Sequence, residues 1–139
     1  MNQHGNGFVR VSGLGADSAR CPSTIKSLPD EVWVMSYTKA EYDEVEPKAP
    51  GMYFLREALD CEQLGMTVLE ASEGWKGLEH DHSGDGQEEV YLLVDGSGQI
   101  TIDGETVELT PGEAVRVSAD ATRELAFDAE SLMVIAGAA

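Results

Sequence analysis

From residue 64 onward the chain alternates short apolar runs with turn residues. Segments 66–70, 90–94, 99–102, 106–109, 114–117 and 132–135 carry the β-branched and aliphatic residues that suit a pleated, half-buried surface, and 125–127 forms a shorter run of the same kind. Asp103-Gly104 lies between two alternating runs, which is a strong hairpin signal because both positions accept a positive φ. Asp95–Gly98 and Pro111-Gly112 read as further turns. Segment 90–94 is almost continuously apolar, the pattern of a strand covered on both faces. Upstream, 32–37 and 52–56 are predicted strands, with one or two helical turns within 39–45 that Pro47 ends. Segment 58–65 reads as a short helical turn or loop stopped by Gly65. Residues 1–29 are rich in glycine, serine and small polar residues without periodicity, and predict an extended arm lying on the main domain or on a second subunit. Many short strands about eight to ten residues apart, with turn chemistry between them, predict an all-β barrel or sandwich. The expected organisation is an arm over 1–30 and one β domain over 31–139.

Composition narrows the partners. The chain has 139 residues, enough for one domain, and 42% hydrophobic residues, enough for one core. No apolar run approaches the length of about 18 residues that a membrane span needs. Residues 1–15 have neither the basic start nor the apolar stretch of a secretory signal. Twenty-six acidic residues against nine basic ones give a net charge of −17. Such a surface repels nucleic-acid phosphates and anionic membranes, so neither is an expected partner. It suits a solvated exterior in a salty cytoplasm, where screening weakens self-repulsion. Cys21 and Cys61 are too few and too far apart for a disulfide framework or a zinc knuckle. Two reduced thiols fit a cytoplasmic protein, while a single bridge between them is left open by spacing.

The chemistry concentrates between Gly74 and Gly96. His80 and His82 are two residues apart, so on a strand both imidazoles project from one face. The turn Ser83-Gly84-Asp85-Gly86 would then bring Glu88 or Glu89 back beside them. Two imidazoles and a carboxylate are a known way to hold a divalent transition metal with positions left open. The alternative is a histidine pair exposed at a strand end. Ligation needs neutral imidazoles, so binding should weaken below about pH 6.

The segment resembles the first motif of the cupin superfamily. Gly74 is followed by five residues and then His80-Asp81-His82, and Glu89 is followed by six residues and then Gly96. The loop from His82 to Glu89 is about two residues longer than that pattern, so Gln87 competes with Glu89 for the carboxylate's place. Glu89 fits the count back from Gly96. If the strand has begun by 87, then Gln87, Glu89 and Tyr91 share one face and Glu88 the other. The stretch 112–123 is similar to the second motif in spacing, with Gly112 matching. Ser118, Asp120 and Arg123 stand where that motif has a proline, a glycine and a metal-binding histidine. Arg123 offers no lone pair and cannot be a ligand. The resemblance spans roughly 65–136 and implies a double-stranded β-helix, the cupin jelly-roll barrel, with an extended N-terminal arm. It also implies a homodimer, since such barrels commonly pair through edge strands.

On that reading His80, His82 and Glu89 would hold Fe, Mn, Ni, Cu, Co or Zn. Arg123 and Tyr91 are the candidate substrate-binding residues. Arg123 either enters the barrel and clamps a carboxylate through paired hydrogen bonds or forms a surface ion pair with Glu124 or another acid. Tyr91 has the parity to enter the pocket beside Glu89, although an aromatic residue in an apolar strand is more often core than catalyst. Trp75 either lines the mouth or packs in a loop, and Met66, Val68 and Leu93 read as barrel filling. His4 lies in the arm and reads as a solvent-exposed terminal histidine. The function expected is that of a small metal-binding protein, an oxygenase or isomerase acting on a small carboxylate or enolisable metabolite. The alternative is a non-catalytic, metal-free barrel that binds a small metabolite. A third reading is a metal-free isomerase or epimerase with His80 or His82 as general base, which needs an orienting carboxylate from Asp81 or Asp85. Whether the chain is an enzyme is left undecided by the sequence.

Overall fold

The computed structural model of the protein describes residues 8–10 and 33–139. Most of the predicted arm, with His4 and Cys21, lies outside the described residues. The chain divides into two compact units, 1–39 and 40–139. In the first, β1 (Phe8–Arg10) pairs antiparallel with β2 (Trp33–Met35).

The second unit is built from β3 (Met52–Phe54), β4 (Gly65–Ala71), β5 (Glu88–Asp95), β6 (Gly98–Ile102), β7 (Glu105–Leu109), β8 (Ala114–Val117), β9 (Arg123–Phe127) and β10 (Ser131–Ala138). They form a five-stranded sheet of order β3-β4-β10-β5-β8 and a three-stranded sheet of order β7-β6-β9, with all neighbours antiparallel. The predicted helical region is one 3₁₀ turn, Tyr42–Glu44. Segment 58–64 takes the loop alternative, as turns and bends, and Gly65 opens β4. The Asp103-Gly104 hairpin forms as expected, with φ of 48° and 85° joining β6 to β7. Side chains of both sheets meet in one core, with Leu69, Leu93 and Met133 from the large sheet against Ile100 and Phe127 from the small one. This is a closed sandwich of two antiparallel sheets, the jelly-roll architecture expected.

Two expectations about faces are corrected. β5 is covered on one face only: Tyr91 and Leu93 are buried, whereas Val90 and Val94 are 38% and 44% exposed. Its outward positions are apolar because they belong to an apolar outer row, not because a second layer covers them. The inward residues of β4 are Thr67, Leu69 and Ala71; Val68 is buried as expected, at 8% exposure, but outside that inner cluster, and Met66 is only half-buried. Strand parity places Met66 and Val68 on the opposite face. Leu93 does fill the core.

Register positions the functional residues. On the inner face of the large sheet, Phe54 lies opposite Thr67, Thr67 opposite Ile135, and Ile135 opposite Tyr91. The next inward position on β5 is Glu89, whose partner on β10 is Gly137. A Cβ on Gly137 would sit 3.0 Å from the Glu89 Cγ, so the missing side chain is what lets this carboxylate lie flat against the sheet.

Candidate metal centre

The segment carrying the histidines runs antiparallel to β9 without joining the ladder as a full strand. Lys76 bridges Ala126 and His80 bridges Arg123. His80 and Arg123 exchange both backbone hydrogen bonds, at 3.0 and 2.8 Å, and the His82 N–H donates to the Ala119 carbonyl at 2.7 Å. The predicted strand is therefore an extended segment held at isolated points. Alternation survives, and both imidazoles reach the same place, with ring centroids 5.2 Å apart. The turn then closes as expected: the Asp85 and Gly86 N–H groups both donate to the His82 carbonyl, and Gly86 takes a φ of 72°.

One ligand atom from each of His80, His82 and Glu89 lies within 4.8 Å of the others. Glu89 is brought to the imidazoles, with Oε1 3.1 Å from His82 Nε2. The tautomers follow from the partners. His80 Nδ1 faces the Leu78 carbonyl at 3.2 Å, and a carbonyl only accepts, so Nδ1 carries the proton. His82 Nδ1 faces both carboxylate oxygens of Asp85 at 3.1 and 3.2 Å, with the same consequence. Both rings then present a bare Nε2. His82 Nε2 is buried and lies 3.1 Å from Glu89 Oε1, yet it makes no hydrogen bond there. A buried ring nitrogen and a carboxylate oxygen held this close without a hydrogen bond form an arrangement that a cation resolves. The donor set fits a divalent transition metal.

The supporting contacts are specific. The Tyr91 hydroxyl donates to Glu89 Oε1 at 2.5 Å. Burial first, then this hydrogen bond to Glu89, holds the Tyr91 phenol far above its ordinary range, so it remains a donor. Hydrogen bonds from the Gln87 backbone and from His82 hold the Asp85 carboxyl below the usual carboxylate range. Its grip on His82 is therefore present at neutral pH and is lost only as pH falls through that lowered value. Asp81 is also held low, but by the Ser83 hydroxyl and backbone N–H rather than by an imidazole. A carboxylate on the far nitrogen of a metal-binding histidine typically tunes affinity by about 10–100-fold. Asp85→Asn is expected to weaken zinc or cobalt binding by that factor in a calorimetric titration, with the fold unchanged by circular dichroism.

Arg123 is fully buried. Its Nη2 donates to the Ser118 carbonyl at 2.7 Å and more weakly to the Val117 carbonyl at 3.4 Å, while Nε and Nη1 have no partner. The surface alternative is corrected: Glu124 pairs instead with Lys76 at 3.1 Å, because adjacent strand residues face opposite sides. Arg123 faces inward with Leu125 and Phe127.

A cavity of about 500 Å³ opens over the metal-binding group. His80, His82, Glu89 and Tyr91 line one part of its wall, and Met52, Phe54, Trp75, Leu78, Leu125 and Ile135 line much of the rest. Trp75 thus lines the opening and also packs edge-on against Phe127, with centroids 5.8 Å apart. A Cβ on Gly77 would come within 3.1 Å of this indole, so glycine there leaves room for the ring. The aromatic and thioether residues of β3 were not expected in the site. Only register brings Met52 and Phe54 to it, and no spacing within the chain announces that.

A family profile for the cupin domain matches residues 67–136, just over half of the chain. The protein belongs to the cupin family. Among solved structures it is similar to a cupin protein from Bacteroides fragilis, at 25% identity over 74% of this chain and 84% of that one, with a TM-score of 0.62. It is also similar to an RmlC-like cupin from Shewanella frigidimarina, at 16% identity over 75% and 94% of the two chains, with a TM-score of 0.60. A third is a sugar phosphate isomerase of the cupin superfamily from Silicibacter pomeroyi, at 17% identity over 73% and 75%, with a TM-score of 0.59. No curated protein matches the sequence. Identities this low in the last two support the fold alone.

Proposed function

We propose that this cupin binds a divalent transition metal through His80, His82 and Glu89 and presents it to a small ligand. The observation that carries the reading is the pair His82 Nε2 and Glu89 Oε1, held 3.1 Å apart beside His80 with no hydrogen bond to the buried Nε2. When bound there, the ion would supply Lewis acidity or a site for oxygen chemistry, because three protein ligands leave positions open. The protein's own contribution is orientation: Asp85 and the Leu78 carbonyl fix the imidazoles, and Tyr91 fixes the carboxylate. Arg123 does not line the cavity, so we assign it a field rather than a contact. Its charge acts from full burial, where screening is weak, and favours an anionic head beside Glu89 and Tyr91. The reaction assigned is oxygenation or isomerisation of a small carboxylate or enolisable molecule.

A second reading is favoured by the His82–Asp85 pair. With Asp85 on Nδ1, His82 Nε2 is also placed as a general base for a metal-free isomerase. Stripping with a chelator separates the two, since it would leave a general base intact.

We further propose a homodimer formed through the outer face of the large sheet rather than its edges. Val134, Leu92 and Ala114 follow one another across that face in register, beside Val90 and Val94 at 38% and 44% exposure, an apolar patch on a strongly acidic chain. Among the described residues no helix is long and apolar enough to cross a membrane, and Cys61 is a free thiol. A cytoplasmic location is proposed on the thiol. The charge of −17 argues against nucleic acid and anionic membranes as partners.

Elemental mass spectrometry of protein purified without an affinity tag tests the metal assignment. Near-stoichiometric metal is expected in the native protein and almost none in the His80→Ala/His82→Ala double variant. Equal metal in both, or none in either after incubation with excess Fe, Mn, Ni and Zn, would move the assignment to the metal-free binding barrel.

A further inference from the structure

The wall facing the metal-binding group has a composition that selects among ligands. It is built from Met52 and Phe54 of β3, Leu78, Leu125 and Ile135, with the Trp75 indole among them. The polar side chains on the wall outside the metal group are few and mostly engaged. The Tyr91 hydroxyl is spent on Glu89. Lys76 is 68% exposed and paired with Glu124. Thr67 remains, nearly buried in β4. Arg123 is not on this wall.

A polyhydroxylated ligand would have to bury several hydroxyls against these side chains. Each hydroxyl left without a partner loses its hydration and gains nothing in return. A phosphate group would also need a cation or a cluster of N–H donors on the wall, and Lys76 is the one cationic side chain there. The fold likeness to a sugar phosphate isomerase therefore does not extend to a sugar-phosphate-like wall. An aromatic or branched alkyl group, by contrast, would exchange water for contact with Phe54, Leu125 and Ile135 and would gain in proportion to its buried area. Phe54 is 40% exposed at the end of the inner row, which places it where the tail of a ligand would leave the cavity.

We infer that the ligand is amphiphilic: a compact oxygen-chelating head of the 2-hydroxy or 2-oxo acid class for the metal end, joined to an aromatic or branched alkyl body that lies on the Met52–Phe54–Ile135 side. This rests on the metal reading above, because the head is assigned to the ion held by His80, His82 and Glu89. It adds the body, which no ligand-set argument supplies.

Lactate and 3-phenyllactate test it, since they share one chelating head and differ by a phenyl group. Cobalt(II) is first titrated into chelator-stripped protein and its uptake read by the visible spectrum. Each acid, and glucose 6-phosphate for comparison, is then titrated into the cobalt form by calorimetry. The expected result is 3-phenyllactate bound at least tenfold more tightly than lactate and more tightly than glucose 6-phosphate. In Phe54→Ser and Met52→Ser, made separately, cobalt uptake should persist and the preference should shrink several-fold. Cobalt uptake with equal affinities for the two acids, or with the sugar phosphate bound best, overturns the amphiphilic ligand and leaves the metal site standing. Absence of cobalt uptake overturns both together.

Discussion

Glu89→Gln is expected to weaken divalent-metal binding by more than about a hundredfold, beyond the 10–100-fold typical of losing an outer partner. The substitution keeps size and hydrogen-bonding oxygen, so the Tyr91 hydroxyl retains an acceptor. What it removes is the one negative charge in the ligand group and the carboxylate's capacity to ligate through either oxygen. Glu88 is exposed on the opposite face of β5, and Gln87 is neutral and lies before the strand begins. A calorimetric titration of the chelator-stripped protein with zinc decides the point. An unchanged affinity would show that Gln87 or another group completes the site.

Arg123→Met is expected to raise stability while lowering affinity for anionic ligands. A guanidinium has five N–H donors, and here one nitrogen serves two backbone carbonyls while the other two have none. Desolvation of a charge so poorly compensated costs several kcal/mol. Methionine has a similar reach and fills the space with an unbranched apolar chain, and the Ser118 carbonyl keeps the Ala121 N–H as a donor. Replacements of buried charged groups by apolar ones of similar volume are commonly neutral or stabilising by about 1–4 kcal/mol. For a domain of this size each kcal/mol corresponds to roughly 4–8 °C in Tm. The same variant should bind 3-phenyllactate less tightly in the cobalt form, because the buried positive field is gone. A destabilised Arg123→Met protein would mean that the two carbonyl bonds outweigh the charge, and an unchanged ligand affinity would remove Arg123 from the function.

What could be read in advance depended on how locally each feature is encoded. The hairpin at Asp103-Gly104 needs only two residues that accept positive φ, and the sequence contains them. His80, His82 and Glu89 were legible because the first two share a parity and the third is fixed by its count from Gly96. Parity likewise separated Glu89 from Glu88. Burial was less legible. The run 90–94 is apolar at every position, and composition cannot say whether its outer residues meet a second layer of this domain or face outward. The faces of Met66 and Val68 were hidden for the same reason, since Met66, Val68 and Leu69 are all apolar and only the pairing with β10 and β3 fixes which of them turn inward. Arg123 was undecided between interior and surface until the bridge with His80 fixed its side. Asp85 could be placed near the imidazoles by sequence, but its hold on His82 Nδ1 depends on the turn's exact closure. The apolar wall was illegible, because Met52 and Phe54 reach the site through inter-strand register alone.

Electron paramagnetic resonance of the protein loaded with one equivalent of copper(II) tests the central claim most directly, since nitrogen couplings count the imidazoles on the ion. The account predicts couplings from two imidazoles in the native protein, from one in His80→Ala and in His82→Ala, and a changed copper signal in Glu89→Gln. A native spectrum without imidazole nitrogen, or one that all three variants leave unaltered, would place the metal elsewhere and contradict the site.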